Sequence, residues 1–112
     1  MTTPFDITSA AYSRFTFERQ DRVLTAAITS DHPVNGVDAA MHAELGRVFT
    51  DLQRDSDSDI IIITGTGRAF CAGGDFDWVD EQISCLRKFH DIAWEAKRIV
   101  TSLMEMEKAM IC

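Results

Sequence analysis

Residues Ile60 to Asp75 read I-I-I-I-T-G-T-G-R-A-F-C-A-G-G-D, and this stretch decides the fold. Four isoleucines and Thr64 make a run too apolar and β-branched for a half-exposed strand. It predicts a strand buried on both faces, as in parallel sheets with helices packed on either side. Gly65, Gly67, Gly73 and Gly74 come next, four of the six glycines in the chain. A strand opening into a glycine-rich loop, followed by a helical segment from Phe76, places backbone N–H groups at the carboxyl edge of a sheet. That edge is where α/β proteins bind ligands.

Upstream, S-R-F-T-F-E-R from Ser13 alternates, with Phe15 and Phe17 on one face, and V-L-T-A-A-I-T spans Val23 to Thr29. Separated only by Gln20-Asp21-Arg22, the two segments predict an antiparallel hairpin. Met1 to Tyr12 reads as a loosely held lead-in, and Ser30 to Gly36 as a loop rich in breakers. Asp38 is placed to cap a helix whose Met41, Leu45, Val48, Phe49 and Leu52 form one apolar stripe. Gly46 inside it costs about 1 kcal/mol against Ala, which suggests close packing on the sheet. Asp55 to Asp59, D-S-D-S-D, reads as a solvated acidic loop, and the strand from Ile60 completes a strand–helix–strand unit with a right-handed crossover.

Beyond Asp75 the sequence is helical from Phe76 to Glu107, with a kink or a change of helix near Arg87-Lys88. Its second part aligns Phe89, Ala93, Ala96, Val100, Leu103 and Met104 along one side. A further apolar run starts at Lys108 and reaches Cys112. A chain that stops just inside such a run is expected to be a truncated copy of a longer domain.

The glycine loop is not a dinucleotide site: the third glycine of G-x-G-x-x-G falls at Phe70, and no acidic residue follows at the right distance. No G-K-[S/T] follows either. His32, His42 and His90 are too scattered for a metal and read as solvated. Cys71 has no evident base beside it and reads as an inert small residue. Asp75 is a candidate for acid–base chemistry or for capping the next helix. With 11 Lys and Arg against 18 Asp and Glu, the net charge of −7 argues against a nucleic-acid partner. It leaves open a small anionic ligand held by backbone N–H groups. Three cysteines without C-x-x-C spacing predict free thiols in a reducing compartment. With no apolar leader or membrane-length run, a cytoplasmic protein without a membrane partner is expected.

R-A-F-C-A-G-G-D resembles the signature of the crotonase superfamily, the enoyl-CoA hydratase/isomerase family. The opening hairpin, the Pro33…Asn35 loop, and the acidic loop leading into Ile60–Gly65 resemble that family at ordered points along nearly the whole chain. The resemblance implies an α/β fold, the N-terminal part of a crotonase-like ββα spiral, in one partial domain over residues 1–112. It implies that the Gly74 N–H is one of two donors of an oxyanion hole for the thioester carbonyl of an acyl-CoA. Residues matching Gly74, Asp75, Phe76 and Asp77 would line the acyl and pantetheine path. Those matching Ala69, Phe70 and Ala72 would lie near the nucleotide. No cofactor is implied beyond coenzyme A as part of the substrate, and intact relatives would form trimers or hexamers. The chain departs from the family pattern at His32, where a basic residue is usual, in its short Pro33-to-Asn35 spacing, and at Gly36-Val37. The second oxyanion donor and the catalytic carboxylates would lie past Cys112, so this chain alone is expected to be inactive. Two alternatives stand beside the enzyme reading: a non-catalytic interaction or CoA-binding remnant, and a diketone hydrolase relative that does not use CoA.

Overall fold

The alternation at Phe15 and Phe17 produces strand β1 (Phe15–Gln20), and a turn with Asp21 at φ 55° returns the chain as β2 (Val23–Ile28). The two strands pair antiparallel, with Phe15 opposite Ile28 and Gln20 opposite Val23. In this computed structural model, residues 5–9, 11–31 and 33–112 are described. Helix α1 (Ala39–Arg54) begins where Asp38 accepts a hydrogen bond from the Met41 N–H at 2.9 Å, a side-chain cap for an otherwise orphaned donor. Strand β3 (Ile60–Gly65) then lies parallel to β2, helices α2 (Phe76–Ile83) and α3 (Leu86–Met104) follow, and β4 (Ala109–Ile111) lies parallel to β3. The sheet order is β1-β2-β3-β4, so the chain crosses the sheet steadily in one direction.

The core lies on one side of that sheet. Leu24, Ala26, Ile28, Ile61 and Ile63 point into it and meet Met41, Val48, Phe49 and Leu52 of α1, all of them buried. Each large side chain removed from water here stabilises the fold by about 1.5–3 kcal/mol. The expectation that β3 is buried on both faces is corrected: Ile61 is fully buried, whereas Ile60 is 37% exposed. The register aligns Val23, Ile60 and Ala109 across the sheet, and all three are only partly covered or exposed. Helices α1 and α3 pack on each other, with Ile99 of α3 against the core. A run of isoleucines reports strand propensity, not which faces are covered.

Four other expectations change for reasons of long-range contact. The segment from Phe5 is docked rather than loose. Ile7 is fully buried, its N–H donates to Asp55, and Tyr12 donates to Asp51 at 2.5 Å. The D-S-D-S-D loop is only partly solvated, since Asp55 and Ser58 are each 2% exposed. Asp55 accepts from Nη1 and Nη2 of Arg19, from Ser58 and from the Ile7 N–H. Burial pushes its carboxyl up, and those hydrogen bonds outweigh that effect and hold it at about 2. Gly46 faces α3 rather than the sheet: a Cβ there would lie 3.3 Å from Glu95 Cγ. The aligned apolar side of α3 is largely its outer side, with Phe89 49%, Val100 60% and Met104 79% exposed, while Ser102 is buried toward the domain. Periodicity gives the stripe of a helix and cannot say which of two stripes the fold covers.

Candidate active site

The glycine loop is folded back on its own strand. A Cβ on Gly65 would sit 2.3 Å from Ala69 O and 2.4 Å from Phe70 O, both backbone atoms, so only glycine fits there. The loop is fastened from across the sheet by Asn35, which is 4% exposed. Its side-chain amide donates to Thr66 O and Ala69 O, each at 2.9 Å, and its Oδ1 accepts from the Ser30 N–H at 3.2 Å. To place that side chain, Val34 (φ 52°) and Asn35 (φ 55°) both adopt the left-handed conformation. Asn enters that region readily; for β-branched Val34 it costs of order 1–3 kcal/mol. The sequence resemblance pointed to the Pro33…Asn35 loop but gave no role to the Asn35 side chain. A breaker-rich loop with an Asn facing a glycine loop was the available signal.

Past Phe70 the two loops run side by side. The Ala72 N–H donates to Val34 O, the Val37 N–H to Gly73 O and the Asp75 N–H to Val37 O, forming a parallel bridge between Val37 and Gly74. On the Gly74 side of this bridge the flanking residues, Gly73 and Asp75, make the hydrogen bonds with Val37, so the Gly74 N–H faces away. Gly74 is exposed, and among the described residues no group accepts from its N–H. Gly73 at φ 92° sets this turn, where any side chain would be strained. Immediately after it, Asp75 accepts from the Trp78 N–H at 3.2 Å and caps α2. Of the two roles open to Asp75, capping is the one its contacts show. The unpartnered N–H thus stands beside the positive end of a helix.

The sequence-predicted residues therefore lie together on the loop and the first turn of α2 but differ in exposure. Ala69 and Asp75 are half-buried, whereas Phe70, Ala72, Gly74, Phe76 and Asp77 are exposed, Phe76 at 86%. Phe70 and Cys71 line an apolar cavity of about 290 Å³ whose other walls include Ile28, Ile63 and Met110. Behind Gly74, Val79 Cγ2 and the Trp78 ring lie 2.8 Å and 3.8 Å from where a Cβ would stand. His42, expected to be solvated, is instead 13% exposed at its side chain and hydrogen-bonded through Nδ1 to Glu95 Oε1. His32 lies outside the described residues. Among the described residues no group of three or more His, Cys, Asp or Glu side chains is placed to hold a metal, and no helix is long and apolar enough to cross a membrane.

Comparison with known proteins decides among the folds that carry such a loop. A model of the enoyl-CoA hydratase/isomerase family matches residues 18–111. The chain belongs to the enoyl-CoA hydratase/isomerase family. It is 28% identical over 94 residues to 1,2-epoxyphenylacetyl-CoA isomerase of Escherichia coli (strain K12), covering 80% of this chain and 35% of that protein. An enoyl-CoA hydratase/isomerase from Mycobacterium paratuberculosis superposes with a TM-score of 0.79 at 23% identity, over 87% of this chain and 39% of that one. A beta-diketone hydrolase from Anabaena sp. PCC 7120 superposes with a TM-score of 0.80 at 24% identity, over 98% and 43%. The chain thus spans about a third of the length of the curated relative and about two fifths of these solved ones. The fold is the crotonase fold in part, as the signature loop implied.

Proposed function

We propose that this chain carries the acyl-CoA-binding half of an enoyl-CoA hydratase/isomerase site, with the Gly74 N–H as one of the two oxyanion donors. The observation that supports this reading is that N–H: exposed, unpartnered and held beside a helix N-terminus by a loop fastened at Gly65, Asn35 and Val37. When water adds to the β-carbon of an enoyl thioester, an electron pair moves onto the thioester oxygen, and protonation at the α-carbon completes the reaction. A fixed donor aimed at that oxygen lowers the barrier because it need not reorganise as charge develops. Removing one such donor from an intact site costs roughly 2.7–4 kcal/mol. Asp75 and Asp77 follow closely on Gly74, so recognition here is of a carbonyl oxygen by a hydrogen bond rather than of a preformed anion by net charge.

On this reading Asp75, Phe76 and Asp77 border the acyl and pantetheine path, and Ala69, Phe70 and Ala72 lie toward the nucleotide. The substrate brings coenzyme A and no separate cofactor is needed. On this reading the 112-residue chain by itself binds without turning over, because Asp75 is occupied as a cap and one donor alone does not complete an oxyanion hole. Calorimetry with butyryl-CoA and a crotonyl-CoA hydration assay test this together. Binding without hydration is expected. Turnover near the rate of intact enzymes would overturn the inactivity, and binding of a cyclic 1,3-diketone but no CoA thioester would favour the diketone hydrolase reading.

A further inference from the structure

We propose that His42 and Glu95 are positioning residues for the Gly74 donor, acting through the Trp78 ring. The inference rests on the oxyanion reading above and deepens it. Three neighbouring side chains, Glu95, His42 and Trp78, lead from α3 to the loop. Gly46 of α1 has no side chain where Glu95 Cγ arrives, 3.3 Å from the position of a Cβ, which lets the Glu95 side chain lie against α1. Glu95 Oε1 is hydrogen-bonded to His42 Nδ1. The His42 ring packs on Trp78 with centroids 5.3 Å apart and the planes tilted by 48°. The far edge of Trp78, at Cζ3 and Cε3, lies 3.8 and 3.9 Å from where a Gly74 Cβ would be.

The chemistry of these side chains suits support rather than catalysis. An indole has only two side-chain torsions, so fixing its face fixes its edge. His42 supplies that fixed face only if its own ring is held, and Glu95 holds it from a different helix. Glu95 and Trp78 also line one small cleft, with Ala39, Gln82, Asp91 and Ile92, and no residue of the glycine loop lines it. Without this backing the indole would be held only by its packing on the core, and Gly74, flanked by Gly73 at φ 92°, would keep Val79 behind it but lose a fixed Trp78 edge. A positioned site needs its donor within about 0.5 Å of the productive geometry. Supporting shells of this kind typically decide whether it is.

The test is the infrared carbonyl band of butyryl-CoA carrying ¹³C at the thioester carbonyl, bound to the full 112-residue chain at saturation. The shifted band belongs to bound molecules and the band at the position in water to free ones, so partial unfolding lowers the intensity of the shifted band and leaves its position alone. In the parent chain the band shifts to lower frequency than in water. His42→Ala and Glu95→Ala are expected to lose at least half of that shift and to weaken binding about tenfold. Glu95→Gln, whose Oε1 still accepts from His42, retains most of both. If His42→Ala does not fold, the two Glu95 variants carry the comparison. A parent shift that survives Glu95→Ala in full overturns the positioning role alone. The absence of any shift in the parent overturns the Gly74 reading and this inference with it.

Discussion

Replacing Asn35 tests how the glycine loop is held. The side chain is 4% exposed, donates to two backbone carbonyls at 2.9 Å and accepts from one N–H at 3.2 Å. Each such bond contributes about 1 kcal/mol net, and a buried partner left unsatisfied adds to the loss. Thr66 is exposed, so water replaces that bond at little cost; Ala69 O and the Ser30 N–H are less accessible. Asn35→Ala should therefore destabilise by about 2–3 kcal/mol, including the penalty of φ 55° for an alanine. Asn35→Asp keeps the backbone preference and the acceptor but turns a donating amide into a carboxylate facing two carbonyl oxygens. At pH 7 it should cost at least as much as Asn35→Ala, about 3 kcal/mol or more. Urea denaturation of the three chains at one pH measures this through the midpoint at constant slope. A loss below about 1 kcal/mol for Asn35→Asp, or a variant more stable than Asn35→Ala, would refute the reasoning that the amide donors hold the loop.

Other substitutions separate close packing from backbone conformation. Gly65→Ala meets backbone atoms at 2.3–2.6 Å and should cost about 3 kcal/mol or more. Gly67→Ala, at φ 85° in open space, should cost only about 1 kcal/mol; equal urea midpoints would contradict the distinction. Val34→Gly removes a left-handed β-branched residue and should raise stability by about 0.5–1 kcal/mol, read as a higher midpoint. Asp55 ionises at about 2 in the fold, below the ordinary carboxylate value. Its contribution is present above pH ~4 and lost as pH falls toward 2, on the order of 1–2 kcal/mol. Asp55→Asn should be less stable at pH 7, and its deficit against the parent should narrow over that acid range; a constant difference from pH 7 to 2 would contradict it.

How far the residues spoke for themselves follows from the range of each interaction. The hairpin, the Asp38 and Asp75 caps and the stripe of α1 are local patterns, and they appear where periodicity and capping chemistry put them. The glycine loop was legible because strand, turn residues and signature adjoin in sequence. What stayed hidden joins residues that are distant in the chain. Ile7 is tied to Asp55, Asn35 to Ala69 and His42 to Glu95, and no window of neighbouring residues contains both partners. The open face of β3 belongs with these, since Ile60 and Ile61 are chemically identical and only the helices' choice of side tells them apart. The exposed side of α3 is the same case in a helix.

The central claim is that the Gly74 N–H binds a thioester carbonyl. Amide ¹H–¹⁵N spectra of the labelled chain titrated with butyryl-CoA test it most directly. The Gly74 proton should move downfield as the carbonyl replaces water, with Asp75 and Phe76 following. Saturable binding that leaves the Gly74 resonance in place, or no binding at all, would contradict the account.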